Sequence, residues 1–168
     1  METDLIIREY SNDDIVNILE LLNKNLKGQQ HLNIKRDVNW WNWKYENNIF
    51  GKPIITVAEY KGKIIACRPF WPWRLNIRGK IINCYQPVDS VVDKDFRGKG
   101  LFTKLTSNSL LEVSKKTDLI FNFPNEQSLG ADLNLGWSYV GKLEWYVKIK
   151  KVMRSYKQLM NQTGYDSI

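Results

Sequence analysis

The chain has a single histidine and two cysteines among its 168 residues. Cys67 and Cys84 give neither a disulfide framework nor a metal-ligand spacing, so no metal is expected. His31 lies in the polar run KGQQHLN. A Ser-His-Asp or Cys-His relay would have to use it, and it reads instead as a solvated loop residue. No run of about 18 uncharged apolar residues occurs, which excludes a spanning helix on the sequence. The start, METDLIIREY, has acids where a secretory signal carries basic residues and a long apolar stretch. These absences predict a reduced, cytoplasmic chain with no membrane partner. Repeats, linkers and the phosphate loop G-x-x-x-x-G-K-[ST] are also missing.

What is present is ordinary globular material, 43% hydrophobic and 26% charged, in a length that suits one domain. The expected domain spans 1–152, with a polar tail, 153–168, that is helical or loose. The charge is 25 − 18 = +7. It is concentrated in two places. Residues 61–80 carry Lys61, Lys63, Arg68, Arg74, Arg78 and Lys80 with no acid, and residues 142–157 carry Lys142, Lys148, Lys150, Lys151, Arg154 and Lys157 against Glu144. Such clusters attract phosphates, or simply keep strand edges and exposed faces soluble.

The pattern predicts a strand at 4–9 and an amphipathic helix at 12–26, on Ile15, Ile18, Leu19, Leu22 and Leu26, broken at Gly28. A second helix is expected at 37–47, capped by Asp37, with Trp40, Trp43 and Trp41/Tyr45 as packing residues. Strands follow at 54–60 and 64–75, joined by a Lys61-Gly62-Lys63 turn, and a third at 81–92 after Arg78-Gly79-Lys80. Pro69, Pro72 and Pro87 inside these runs predict an edge, a bulge or an early end. A loop at 93–100 then leads to a helix at 101–116. A strand at 118–123, a short helix at 127–135 and a strand or strand pair at 136–152, bending near Gly141, complete a mixed α/β sheet in the order β-α-α-β-β-β-α-β-α-β.

The chemistry centres on strand 81–92, loop 93–100 and helix 101–116. A strand feeding a glycine-bearing loop at a helix N-terminus is an anion site, because free backbone N–H groups and the helix dipole point the same way. Gly98 and Gly100 admit close approach, and Arg97 and Lys99 add charge.

The run Arg97-Gly98-Lys99-Gly100-Leu101-Phe102 resembles the R/Q-x-x-G-x-G/A loop of the GNAT acyltransferase superfamily. The preceding V-V-D-K-D-F is similar to that family's approach to the loop, and Leu135-Gly136-Trp137 is similar to its late step into the last strands. The resemblance covers residues 4–150. Trp40–Tyr45, Gly51-Lys52-Pro53 and Phe123-Pro124-Asn125 resemble GNAT domains that often stand N-terminal in longer chains. The implied fold is a mostly antiparallel sheet of six to seven strands with about four helices, splayed into a V between 81–92 and 118–123.

The resemblance implies acetyl transfer from acetyl-CoA, a cosubstrate, to an amine. The amides of Arg97, Gly98, Lys99, Gly100, Leu101 and Phe102 would wrap the pyrophosphate. Val91, Val92 and Asp93 would bind the pantetheine arm as an added strand does, and Asn122 or Asn125 would bond it. Pro87 would cause the strand's bulge. An attacking amine must shed a proton, so a carboxylate is needed near the slot. Asp89 is the first candidate, because alternation would put it on the face of Val91, followed by Asp93 and Glu59. A backbone N–H near Val91 or Val92 would hold the oxyanion.

Two positions depart from the family pattern. Phe102 stands where Gly or Ala is usual, and its ring is expected to turn inward. Asp132 stands where the family often has a general-acid tyrosine, so Tyr139, or else Tyr85 or solvent, would have to protonate the leaving thiolate. This departure keeps open a GNAT-fold domain that serves only as a binding or interface module of a larger assembly. A basic nucleic-acid module, with Trp71 and Trp73 as a stacking platform rimmed by Arg68 and Arg74, is the weaker alternative. A homodimer is left open. The acceptor is not legible.

Overall fold

A computed structural model describes residues 4–26, 36–144 and 146. His31, the break at Gly28, the basic residues Lys148 to Lys157 and the tail 153–168 lie outside the described residues.

Strand β1 (Leu5–Glu9) leads to a helical turn in which the Ser11 N–H donates to Asp14 at 2.7 Å. Arg8 reaches the same carboxylate at 2.7 and 2.9 Å and also donates to Glu59 at 2.8 Å. β1, the helix start and the sequence-distant Glu59 are thereby pinned at one guanidinium. Helix α1 (Ile15–Asn25) buries Ile18, Leu19, Leu21 and Leu22.

The helix expected at 37–47 is two pieces. α2 (Val38–Trp41), whose Trp40 N–H donates to Asp37, runs into a π-helical turn, Asn42–Glu46. The wider turn rotates the following side chains relative to an α-helix. Trp41 and Tyr45 are fully buried, whereas Trp43, expected to pack, is 69% exposed.

Strands β2 (Ile54–Tyr60), β3 (Lys63–Ile77) and β4 (Lys80–Pro87) form an antiparallel meander. Both hairpin turns have two residues of positive φ, Lys61-Gly62 and Arg78-Gly79, the geometry whose twist matches the strands. Pro69 and Pro72 do not end β3, which runs on to Ile77. The Pro69 carbonyl accepts from the Val88 N–H, and a strand residue's N–H and C=O point the same way. Its missing N–H therefore faces the gap after β4. The Pro72 carbonyl accepts from Asn48 on the other side, where β2 begins only at Ile54, opposite Phe70. Neither proline removes a bond from a ladder.

After Pro87 the ladder breaks, as its proline predicts. β3 pairs Phe70 with Pro87, then Cys67 with Val91 in β5 (Val91–Val92). Three residues, 88–90, face two, Arg68 and Pro69, so the strand carries a β-bulge. Helix α3 (Leu101–Val113) follows, then β6 (Leu119–Ile120), which pairs parallel to β4 at Cys84 and Tyr85, and α4 (Glu126–Asn134). The sheet order is β1-β2-β3-β4-β6, with β5 also on β3. The last bond between the two parallel strands is Phe121 N–H to the Tyr85 carbonyl, and beyond it they part.

α1, α2 and the π-turn pack Leu22, Trp41 and Tyr45 on Ile55, Val57 and Cys67. α3 packs Leu101 and Leu105 on Ala58, Ile65 and Ala66, in a separate cluster. A buried hydroxyl pair, Ser109 to Thr56 at 2.7 Å, anchors α3 to β2.

The strand expected across 136–152 is absent from its described part. Residues 137–144 make no ladder, and Val140 is 98% exposed. An alternating run becomes a strand only against a partner, and the nearest sheet edge in the chain, β6, is two residues long. The remainder of that run, 145 and 147–152, lies outside the described residues. No described helix is long and apolar enough to cross a membrane.

Candidate active site

The bulge places Asp89 in left-handed backbone, φ 45°. Strand alternation with Val91 therefore does not hold, and it is the bulge that aims the carboxylate. Asp89 Oδ2 accepts from the Tyr45 hydroxyl at 2.6 Å and from Lys44 Nζ at 2.5 Å. Burial, and then the charge of Asp89, push the Tyr45 hydroxyl well above its ordinary pKa, so it remains a donor. Lys44 Nζ also lies 5.1 Å from the Trp40 ring centroid, 5.6 Å from Trp71 and 5.7 Å from Tyr45. Trp71 Nε1 donates to the Lys44 carbonyl at 2.9 Å and fixes the π-turn against β3.

The other carboxylate candidates are engaged in structure. Asp93 is 3% exposed, accepts from the Asp95 N–H and pairs with Lys24 at 2.8 Å. Burial alone would raise its pKa, but the Lys24 and Asp95 bonds bring it below the ordinary value. Glu59 is held by Arg8.

On β5, the Asp93 N–H donates to the Ile65 carbonyl, so alternation turns the Val91 amide toward β3 and the Val92 amide toward the open edge. Of the three residues expected to take an extended ligand, Val92 has its amide N–H turned to the open edge. Its carbonyl meanwhile accepts from Arg97 Nε at 3.1 Å.

Gly98 and Gly100 both adopt left-handed backbone, φ 72° and 70°. Gly100 is the N-cap of α3 and supplies no side-chain cap. The first N–H groups of a helix have no partner within it, so those of Leu101, Phe102 and Thr103 face outward. No atom lies within 4 Å of where a Cβ would stand on either glycine. Lys99 folds onto the Asp95 carbonyl at 3.2 Å and over the Phe96 ring. An open, uncapped, dipole-positive helix end flanked by Arg97 and Lys99 suits a phosphate group.

The two arms of the splay are joined by a network that the sequence did not announce. Arg68 donates to Ser90 Oγ in the bulge at 2.6 Å and to Asp132 on α4 at 3.2 Å. Asp132 in turn accepts from Asn122 at 2.7 Å. The Phe102 ring lies 4.3 Å from the guanidinium carbon. Burial draws Arg68 down to about 10, still cationic at neutral pH. Asn125 caps α4, accepting from the Ser128 N–H at 3.0 Å. Tyr139 is 65% exposed and no contact brings it to the Asp89 cluster. Tyr85 packs against Ile54, Phe70 and Val113.

Trp71 and Trp73 pack edge to face at 5.3 Å, and Trp73 also meets Phe50 and Phe121. Arg68 is buried. The proposed stacking platform therefore lacks its rim on that side and spends its rings on packing. Sequence reasoning missed Lys44 and read Arg68 only as the rim of a stacking platform. A cation isolated among rings in WWNWKY and another among apolar neighbours in ACRPF were the available signals.

The family model for the acetyltransferase (GNAT) domain matches residues 6–140. Comparison with curated proteins finds no match. Among solved structures, the chain resembles glucosamine-6-phosphate N-acetyltransferase from Arabidopsis thaliana, at 20% identity and TM-score 0.63 over 88% of this chain and 99% of that one. It also resembles a predicted acetyltransferase from Clostridium acetobutylicum, solved with acetyl-CoA, at 14% identity and TM-score 0.67 over 85% and 96%. A third is an aminoglycoside acetyltransferase from an uncultured soil metagenomic sample, in complex with sisomicin, at 15% identity and TM-score 0.62 over 89% and 99%.

Proposed function

The chain belongs to the GNAT acetyltransferase family, and we propose on that basis that it moves an acetyl group from acetyl-CoA to the nitrogen of an amine. One relationship carries the proposal. The bulge at 88–90 sets a carboxylate and an open-edged amide, Val92, a few residues before an uncapped helix end with left-handed glycines.

In this reading the α3 N-terminus and the amides from Arg97 to Phe102 hold the pyrophosphate. The Val92 amide holds the pantetheine arm as an added strand, and the Arg97 side chain leaves the Val92 carbonyl when the arm arrives. Asp89 accepts the proton that the attacking ammonium must shed, directly or through a water. The neutral nitrogen bonds to the thioester carbonyl carbon, the C–S bond breaks, and the nitrogen's second proton passes to solvent as the thiolate takes one from it, since Asp132 is committed to Arg68. An N–H at the bulge stabilises the oxyanion. Both cysteines are buried free thiols, which suits a reducing cytoplasm.

The test is a thermal-shift titration with acetyl-CoA, CoA and ATP side by side. A shift selective for the two CoA species, lost in Gly100→Asp, is expected. An amine panel read by released thiol then follows, with Asp89→Asn as the slow control. No shift, or an equal shift with ATP, overturns the reading and leaves a GNAT-fold module without the chemistry.

A further inference from the structure

We propose that the position of Lys44 Nζ is the seat of the acceptor's ammonium group, and that Lys44 is a resident competitor for it. The inference rests on the acetyltransferase reading and names its substrate class: a primary amine on an unbranched aliphatic stem.

Four groups from three parts of the chain converge on that one atom. Trp40 and Tyr45 come from α2 and the π-turn, Trp71 from β3, and Asp89 from the bulge. Three aromatic faces and one carboxylate form an arrangement that selects cations. Two local distortions build it. The π-turn at 42–46 widens the helix, a departure frequent at functional sites. Asp89 adopts positive φ without being glycine, a conformation that persists only when its surroundings hold it. A plain surface ion pair needs neither. The seat also lies at the bulge, three residues before Val92.

The walls define the class. Trp71 Nε1 is spent on the Lys44 carbonyl and the Tyr45 hydroxyl on Asp89. A sugar ring would bring hydroxyls to walls whose polar atoms are taken, and unmet hydroxyls lose affinity. A methylene stem asks for no polar partner from those walls. The Lys44 side chain is 16% exposed, so it has a route outward, and Asp89 passes from one ammonium to the other. A tethered competitor acts at an effective concentration in roughly the millimolar range, which raises the acceptor's KM.

The experiment compares wild type with Lys44→Ala. Tryptophan fluorescence is titrated with n-butylammonium chloride against sodium chloride, and KM is measured for n-butylamine and for glucosamine. The expected result is a Kd and a KM for n-butylamine at least tenfold lower in the variant, with the acetyl-CoA thermal shift unchanged. A merely structural lysine does not tighten binding when removed. Should the alanine chain not fold, Lys44→Ser, whose similarly short side chain also leaves the seat open, replaces it. Unchanged or weaker n-butylammonium binding in a folded variant overturns the proposal, as does failure of both variants to fold. An equal gain for glucosamine overturns the substrate class. Absence of a CoA shift in wild type counts against the acetyltransferase reading alone, because the fluorescence titration needs no cosubstrate.

Discussion

Arg68 on β3 and Asp132 on α4 form an ion pair of 3.2 Å with side chains only 4% and 3% exposed. Removing one partner of such a pair strands a charge in the interior. Asp132→Asn or Arg68→Met should each cost about 3–5 kcal/mol in urea unfolding, and the apolar double replacement Arg68→Met/Asp132→Leu should recover much of that loss. Additive losses would show that the two groups do not act as a pair.

Asp132→Tyr restores the residue type that the family often places there. It should not restore an acid, because it leaves Arg68 without its carboxylate. The expected result is lower stability and no gain in turnover, and a gain would reveal a cleft with room for the ring.

Gly100→Ala and Gly100→Asp separate strain from charge. With φ at 70° and open space around the missing Cβ, alanine meets no atom and costs about 1 kcal/mol of backbone strain. Aspartate adds a negative charge at the helix end. Both should fold, and the acetyl-CoA thermal shift should fall much further in the aspartate chain. Equal losses would mean that phosphate does not sit there.

Acid should reach the fold through Asp14. The Arg8 bond, opposed by burial and aided by Ser11, holds its carboxyl at about 2 against an ordinary value of 3.8. The unfolded chain binds this proton more readily, so the stabilisation is whole above about pH 4 and is lost as pH falls toward 2. It amounts to about 2 kcal/mol, from 1.36 kcal/mol per unit. Arg8→Met should flatten this part of the stability–pH curve, and an unchanged slope would assign the acid sensitivity elsewhere.

Cys67 is fully buried, and desolvation pushes its thiol far above the usual range. Cys84 is buried as well. Neither should react with a thiol reagent until the chain unfolds, so release of CoA is readable in the presence of the enzyme. Labelling at native rates would show that β3 or β4 opens.

Much of the architecture was legible because each element has its own signal. Ile18, Leu19 and Leu22 repeat at helical spacing, the Lys61-Gly62 and Arg78-Gly79 pairs write the hairpins, and Pro87 foretells the break after β4. The loop at 97–102 was legible as a motif. What sequence could not show was which side chains long-range folding brings together. Asp89 and Lys44 are 45 residues apart, and Arg68 and Asp132 are 64 apart. Local sequence marks Lys44 and Arg68 as isolated cations but names neither partner. The exposed Trp43 and the unpaired 137–144 failed for one reason: a period in the sequence assumes an ideal helix or a waiting strand, and neither was there.

Pro69 and Pro72 have a consequence for structures the chain must avoid. β3 is 15 residues long, and a ladder of that length offers many offsets of nearly equal bonding. In the native pairing Pro69 falls opposite Val88, where the β4 ladder has already ended, and Pro72 falls where β2 has not begun. A shift of one residue turns at least one of them toward an occupied ladder and forfeits a bond. The prolines thus act as a proofreading mark on the hairpin's alignment. The notch that carries Asp89 opens at one place because the alternatives are penalised, so a chain with both prolines replaced by alanine would keep its native bonds yet lose its safeguard during folding.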